Sequence, residues 1–325
     1  MTTATVRFSR LIALAALMML LVGAGMPGLT AAALDPTPTP GVFTPVAFPE
    51  EGKFDEDTAR SIDLMSLPIL PDFAPYAGWL RAIYEEGQRQ GLSPDLFTKI
   101  GDCMTSSESF LRPIAEGKYA LGPYTSLQAV IDRYEGKPVR TGDSGLDSFS
   151  NPSLAAASGF NAAAVLDSTW NDPELCEVDE SPLACELRLV RPAVALIMFG
   201  TNDLKSLTPE QFDYYLRLVV AQTINRGVIP ILSTFPNQPG QVEKSIFFNQ
   251  IVVRVAQDYT IPLINLWRAF DPLPNQGIDP QEPTHMTKPT SGEVASFIEA
   301  DLQAGHNLHN LLTLQALEGL LKVIG

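Results

Sequence analysis

The feature that most constrains the fold of this chain is an uninterrupted apolar run at residues 193–199, AVALIMF, followed at once by residues 200–203, GTND. Such a run is typical of a central parallel strand that is covered on both faces, because neither face carries polar residues. Parallel neighbours need crossover connections, so helices are expected between the strands. The polar residues after the run then lie at the carboxyl edge of the sheet, where open α/β folds bind ligands.

Helix and strand patterns alternate from about residue 75 onward, and Thr105 to Glu108 match a capping box that predicts a helix start at Thr105. This alternation predicts an α/β fold, a three-layer α/β/α sandwich with a mostly parallel sheet, in one domain at residues 71–325. Strands are expected at residues 97–100, 193–199, 228–232 and 261–266, and helices at residues 77–90, 127–134, 209–226, 242–257, 292–304 and 308–323.

The first 33 residues have the pattern of a secretory signal peptide. Arg7 and Arg10 form a basic region, residues 11–22 are apolar, and residues 31–33 (AAA) offer small residues for cleavage. A retained membrane anchor is the alternative, but the apolar run is short for a span. The chain is therefore expected to be secreted, with no membrane span after cleavage, and association with the cell surface is left open.

Residues 34–70 are interpreted as a Pro/Thr-rich linker and N-terminal extension, in which the Thr-Pro repeats between residues 35 and 50 are expected to stay extended rather than pack. The formal net charge of the whole chain is −15. An acidic surface repels phosphate backbones, so nucleic acid is excluded as a partner.

The chain has three cysteines. Cys176 and Cys185 lie in one polar segment that contains prolines, and they can close a small loop. Because export permits disulfides, we expect these two residues to pair and Cys103 to keep a free thiol.

Four short blocks at predicted strand ends or in loops follow one another along the chain: residues 101–103 (GDC), Gly159, residues 200–203 (GTND) and residues 279–285 (DPQEPTH). In this order they resemble the G-D-S, glycine, G-x-N-D and D-x-x-H blocks of SGNH/GDSL hydrolases, whose fold is flavodoxin-like. This chain departs from the family pattern twice, since Cys103 stands where the family has serine and Glu282 where it usually has aspartate.

The resemblance implies that Cys103 is the nucleophile and His285 the general base. Cys103 also follows a strand and precedes a helix, whose N-terminus is expected to lower the thiol pKa. Imidazole suits proton transfer near neutral pH. Glu282 would orient the imidazole, and Asp279 is the second candidate for that role. Two readings of Cys103 stay open beside this one: a small buried hydrophobe, or a site that has lost its serine.

The resemblance also implies an oxyanion hole made by the side-chain amide of Asn202 and the backbone N–H groups of Cys103 and Gly159. The two remaining histidines, His306 and His309, lie in the C-terminal helical region and are expected to be surface or packing residues. No His/Cys cluster has the spacing of a metal site, so neither a metal nor a cofactor is expected.

Together these observations predict an esterase or deacetylase that acts on a small-molecule or O-acylated carbohydrate ester through an acyl-enzyme on Cys103. The alternative is a catalytically inactive relative that binds a glycan or a cell-surface polymer. A thiol-dependent acyltransferase is a third reading. Cys103 is the residue that keeps these alternatives open.

Overall fold

The computed structural model describes residues 42–140 and 145–325, so the predicted signal peptide and the start of the linker lie outside the described residues. Within them, a parallel sheet has its strands hydrogen-bonded in the order β1-β2-β3-β4. The strands are β1 Ser93–Gly101, β2 Pro192–Met198, β3 Ile229–Ser233 and β4 Leu263–Ile264.

Helices cover both faces of this sheet, which confirms the predicted α/β/α sandwich. They are α1 Glu56–Arg60, α2 Ala77–Arg89, α3 Cys103–Ser106, α4 Arg112–Ala115, α5 Gln128–Tyr134, α6 Pro182–Val190, α7 Asp203–Ser206, α8 Pro209–Asn225, α9 Val242–Asp258, α10 Leu266–Phe270 and α11 Gly305–Ile324. On one face α2 packs against α11, and on the other α8 packs against α9. None of the helices in the described residues is both long and apolar enough to cross a bilayer.

The central strand β2 corresponds to the apolar run that the sequence singled out. All of its residues are buried, and its backbone is paired on both sides. Beside β1, on the edge away from β2, a further segment runs in parallel, since the N–H of Gly101 donates to Ala155 and the N–H of Ala157 donates to Gly101. This contact brings the loop that contains Gly159 to the carboxyl end of β1.

The capping box predicted at Thr105 does not form. Helix α3 begins two residues earlier, at Cys103, because the side chain of Asp102 caps its N-terminus by accepting the N–H of Met104 at 3.0 Å. The helix then ends at Ser106, because the backbone of the next residue, Ser107, has left the helical conformation. Cys103, rather than Thr105, is therefore the first helical residue after β1.

The helix predicted at residues 292–304 is also wrong. This stretch has bends and turns and a short 3₁₀ turn, Asp301–Gln303. Its backbone pairs with another segment, since Ala120 donates to the carbonyl of Ala295 and accepts the N–H of Phe297. Backbone groups used in this way are not available for helical hydrogen bonds.

The described part of the N-terminal extension packs onto the domain, contrary to the expectation for residues up to 50. Phe43 stacks on Trp79 with 5.9 Å between ring centroids. The backbone of Val46 exchanges two hydrogen bonds with the side-chain amide of Asn225, at 2.8 and 2.9 Å. The aromatic surface buried by this stacking and the two hydrogen bonds thus offset the conformational entropy lost when this proline-rich stretch is ordered.

The predicted disulfide between Cys176 and Cys185 is present, and Cys103 is a free, buried cysteine. Cys185 lies on α6 and is fully buried, so the bond ties the polar loop before α6 to that helix.

Replacing both Cys176 and Cys185 by serine is expected to lower the free energy of unfolding by about 2–3 kcal/mol, because a cross-link over so short a loop chiefly restricts the unfolded chain. Urea unfolding of the variant and of the wild-type protein measures this difference. Wild-type protein unfolded in reducing agent is the control and should lose a similar amount. A variant within about 0.5 kcal/mol of the oxidised wild-type protein would contradict the prediction.

Candidate active site

The turn after β1 places Cys103 at the carboxyl edge of the sheet. Glycine is required at position 101, because a Cβ there would lie 2.2 Å from the carbonyl oxygen of Met198 and 2.3 Å from the hydroxyl of Thr105. This close approach lets the chain leave β1 tightly against the end of β2. Asp102 then caps α3, and Cys103 follows as its first residue.

The thiol of Cys103 lies in a buried environment. Its side chain is 8% exposed, and Sγ donates to the carbonyl oxygen of Thr284 at 3.6 Å. Burial, together with the neighbouring carboxylate of Asp102, raises the pKa of the thiol to about 12. The expected lowering of the pKa by a helix N-terminus is therefore wrong: α3 has only four residues, and desolvation of the thiolate dominates.

The loop that contacts the thiol also carries the candidate base. Thr284 directly precedes His285, whose Nδ1 lies 2.6 Å from a carboxylate oxygen of Glu282. The imidazole is about half exposed, at 47%. In the described part of the chain, no hydrogen bond joins this imidazole to the sulfur of Cys103, whose side-chain partner is the carbonyl of Thr284.

Of the two acids considered for the imidazole, Glu282 makes the contact. The carboxylate of Asp279 instead accepts the backbone N–H of Gln281 at 2.8 Å, and its own N–H donates to the carbonyl of His285. An isolated antiparallel bridge between Ile278 and Met286 closes the base of this loop. Asp279 therefore shapes the loop, whereas Glu282 holds the ring.

Hydrogen bonds connect the loop that follows Gly159 with the turn that contains Asn202. The Asn202 amide donates to the carbonyl of Phe160 at 2.9 Å, and Asp203 accepts the N–H of Ala162 at 2.8 Å. An amide nitrogen carries two hydrogens, so Asn202 keeps one for a ligand. Gly159 has a φ of +91°, a backbone conformation that favours glycine. It is exposed, and no neighbouring atom would contact a Cβ there, so the conformation and not the space explains the glycine.

Two buried carboxyl groups support these turns. Asp102 accepts the N–H of Met104 at 3.0 Å, and Asp203 accepts the N–H of Gly200 at 2.8 Å. Burial raises the pKa of Asp102 to about 6 and the pKa of Asp203 to about 7. The hydroxyl of Thr201 donates to the sulfur of Met104 at 3.8 Å, which links the turn after β2 to the turn after β1.

His306 and His309 lie outside this arrangement. Both are buried on α11, and His309 stacks on Phe110 with 4.2 Å between ring centroids. Burial lowers the pKa of His306 to about 4 and the pKa of His309 to about 3. They are packing residues, which leaves His285 as the exposed imidazole near the thiol.

Sequence reasoning missed two features of the site. One is the carbonyl of Thr284, which no side-chain pattern reveals. The other is Trp170, which is 60% exposed and packs edge-on against Phe160 with 6.4 Å between centroids. Its place in the loop after Gly159 was the available signal. Within the described residues, the one cluster with metal-ligand character is Cys176, Glu180 and Cys185, whose sulfurs are joined in the disulfide.

Alkylation of Cys103 by iodoacetamide at pH 8 is expected to be slower than that of an unperturbed thiol by a factor on the order of 10³, because the thiolate is the reactive form and the pKa lies near 12 rather than about 8.5. The rate should rise about tenfold per pH unit. Mass spectrometry over time measures the rate, and Cys103→Ser, which has no free thiol, is the control. A rate that levels off near neutral pH would contradict the prediction and indicate a thiolate–imidazolium pair.

No protein-family model matches the chain, and no curated protein matches it. Several solved structures, in contrast, match the chain. An acetylxylan esterase from Geobacillus stearothermophilus matches at 16% identity with a TM-score of 0.41, over 68% of this chain and 93% of that one. A GDSL-like lipase from Bacteroides thetaiotaomicron matches at 14% identity with a TM-score of 0.41, over 74% and 98%.

A psychrotrophic esterase from Pseudoalteromonas sp. matches at 14% identity with a TM-score of 0.43, over 70% of this chain and 99% of that one. In the order of its four blocks, the chain resembles the SGNH/GDSL hydrolases.

Proposed function

We propose that this chain is an exported hydrolase that cleaves esters of small molecules or O-acylated carbohydrates through an acyl-enzyme on Cys103. One observation carries the proposal. The loop whose Thr284 carbonyl contacts the thiol is the same loop that holds His285, with its Nδ1 on the carboxylate of Glu282. A nucleophile, a base and a group that orients the base thus come from two adjoining turns.

The contact with Glu282 determines which nitrogen of the imidazole is basic. In the neutral imidazole, Nδ1–H donates to the carboxylate and the lone pair of Nε2 can accept a proton. The nitrogen that carries the hydrogen is assigned from this hydrogen bond. During reaction, Nε2 takes the proton of Cys103 while the sulfur bonds to the carbonyl carbon of the ester.

The remaining steps regenerate the enzyme. The tetrahedral oxyanion is held by the free N–H of the Asn202 amide and by the backbone N–H groups of Cys103 and Gly159. When this intermediate collapses, the C–O bond of the ester breaks and the alcohol leaves with the proton from His285. Water then attacks the thioester and gives its proton to the same imidazole. The C–S bond breaks, the acid leaves, and the imidazole returns the proton to the sulfur, which restores the free thiol.

The raised pKa of the thiol determines when the proton moves. A thiol with a pKa near 12 stays neutral in the resting enzyme. Proton transfer to His285 must therefore accompany attack on the substrate, as it does for a serine hydroxyl. For this, the thiol has to turn from the carbonyl of Thr284 toward the imidazole.

Hydrolysis of a short-chain nitrophenyl ester tests the proposal. Cys103→Ala should abolish turnover. Glu282→Gln should lower kcat by roughly 10²-fold or more with little change in KM, because the imidazole loses the group that orients it. Asp279→Asn is the matched control, since that carboxylate does not contact the ring, and it should stay within about threefold of wild type. Full activity in Cys103→Ala would contradict an acyl-enzyme on this residue.

The burial of the thiol favours a second candidate, a non-catalytic protein that binds a glycan at the same edge of the sheet. A neutral thiol that donates a hydrogen bond to a backbone carbonyl can be a purely structural group. Cys103→Ser separates the two candidates, because a serine restores the family's usual nucleophile without changing the turn. An oligosaccharide that binds to both proteins, while neither hydrolyses an ester, would favour the binding protein.

A further inference from the structure

Trp170 differs from the other two tryptophans of the chain in having an exposed ring and a free donor. The Nε1–H of Trp79 donates to the carbonyl of Tyr259 at 3.2 Å. The Nε1–H of Trp267 donates to the side-chain oxygen of Asn237 at 2.8 Å. Trp170 is 60% exposed, and its Nε1–H has no acceptor among the described residues. Its indole therefore offers a ligand both an apolar face and a hydrogen-bond donor.

The position of Trp170 connects it with the candidate active site. Exposure by itself assigns no role, because single apolar side chains are common at protein surfaces. The ring of Trp170, however, packs edge-on against Phe160, whose own carbonyl accepts the amide of Asn202 at 2.9 Å. One residue thus connects the indole with the amide that would hold the oxyanion. An ester whose carbonyl lies at Asn202 can bring another part of the substrate against the indole.

Hydrogen bonds on both sides of Trp170 hold its backbone in place. Before it, the carboxylate of Asp167 caps the 3₁₀ turn Ser168–Trp170 by accepting the N–H of Thr169 at 2.9 Å and its hydroxyl at 2.8 Å. After it, the side-chain amide of Asn171 donates to the carbonyl of Glu180, in the loop that the disulfide closes, at 2.8 Å. A ring that is held in this way loses little conformational entropy when a ligand packs on it.

The polar groups around the indole favour a neutral ligand with hydroxyl groups. Residues 171–180 contain five acids and no basic residue, and Arg188 pairs with two of these acids, Glu177 and Glu180. Such a surface repels anions, whereas its carboxylates accept hydrogen bonds from hydroxyls. An alkyl chain would cover the face of the indole but leave its N–H without a partner. A sugar ring has both an apolar C–H face and hydroxyls, so it matches the face and the donor together.

We propose that the indole of Trp170 binds the sugar ring of an O-acylated carbohydrate, which makes such esters, rather than esters of simple alcohols, the substrate class of this site. The C–H face of the sugar packs on the indole, and a sugar hydroxyl accepts the Nε1–H. The proposal rests on the ester-hydrolase function, because the ring that Trp170 holds is the alcohol part of an ester whose carbonyl lies at Asn202. Trp170 determines specificity and takes no part in bond making.

Hydrolysis of two acetate esters tests this proposal: a methyl glucoside acetylated at its primary hydroxyl, and ethyl acetate. Both transfer the same acyl group, so they differ only in the alcohol. Trp170→Ala should raise KM for the sugar ester at least about tenfold with kcat within about threefold, because the ring loses its stacking surface and one hydrogen bond. The kcat/KM for ethyl acetate should stay within about threefold of wild type.

Two further variants separate sugar binding from a structural role. Trp170→Phe keeps an aromatic face but has no N–H, so it should recover most of the affinity that Trp170→Ala loses for the sugar ester. Val178→Ala is the matched control, because it removes another exposed apolar side chain, 92% exposed, from the loop that follows Trp170. It should leave the kinetics of both esters within about twofold of wild type.

Binding can also be measured without turnover, in Cys103→Ala protein labelled with ¹⁵N-tryptophan. The indole N–H signal that disappears in Trp170→Phe belongs to Trp170. Titration with the acetylated methyl glucoside should shift this signal until it saturates, while the signals of Trp79 and Trp267 stay in place. Because this measurement needs no thiol, it decides the sugar-binding proposal even if the wild-type protein hydrolyses neither ester.

An equal loss of kcat/KM for both esters in Trp170→Ala would overturn the proposal, because it would assign Trp170 to the structure of the site. A Trp170 signal that the sugar ester does not shift would overturn it as well. So would a signal that moves only with protein concentration, because the indole would then lie in a contact between two copies of the chain.

Discussion

The parallel pairing of β1 with β2 is the interaction on which the candidate site depends. Parallel strands end at the same edge, so the turns after β1 and β2 lie side by side. Two contacts then fix their spacing: the bare Cα of Gly101 lies against the carbonyl of Met198, and the hydroxyl of Thr201 donates to the sulfur of Met104. A larger residue at position 101 would push these turns apart, and with them the thiol and the amide of Asn202.

The same close packing that positions the site also suppresses the reactivity of its cysteine. Burial against the carbonyl of Thr284, beside the carboxyl of Asp102, keeps the thiol of Cys103 neutral. A thiol in such a place resembles a serine hydroxyl, which also stays protonated until a base removes its proton during attack. A neutral, buried thiol of this kind does not need the positive surroundings that activated thiolates require.

The sequence predicted the features that local interactions determine, and it missed those that depend on contacts between distant segments. The apolar run at residues 193–199 predicted β2 because burial on both faces leaves a local signature. The order of the four blocks indicated the candidate residues through the resemblance to SGNH/GDSL hydrolases. The start of α3 was missed because Asp102 and Thr105 are both good caps, and only packing against Met198 selects the first. The pairing of residues 295–297 with Ala120, the orientation of Thr284 and the raised thiol pKa depend on contacts between distant segments, which no local pattern encodes.

Intact-mass spectrometry after brief mixing with an activated ester tests the central claim, that Cys103 carries the acyl group, most directly. An acyl adduct should appear within one turnover, map to the peptide that contains Cys103, and decay as water hydrolyses the thioester. It should be absent in Cys103→Ala, and rapid acid quenching should trap it, because acid stops the attack of water on the thioester. Steady ester hydrolysis with no adduct on Cys103, or an adduct on another residue, would contradict the account.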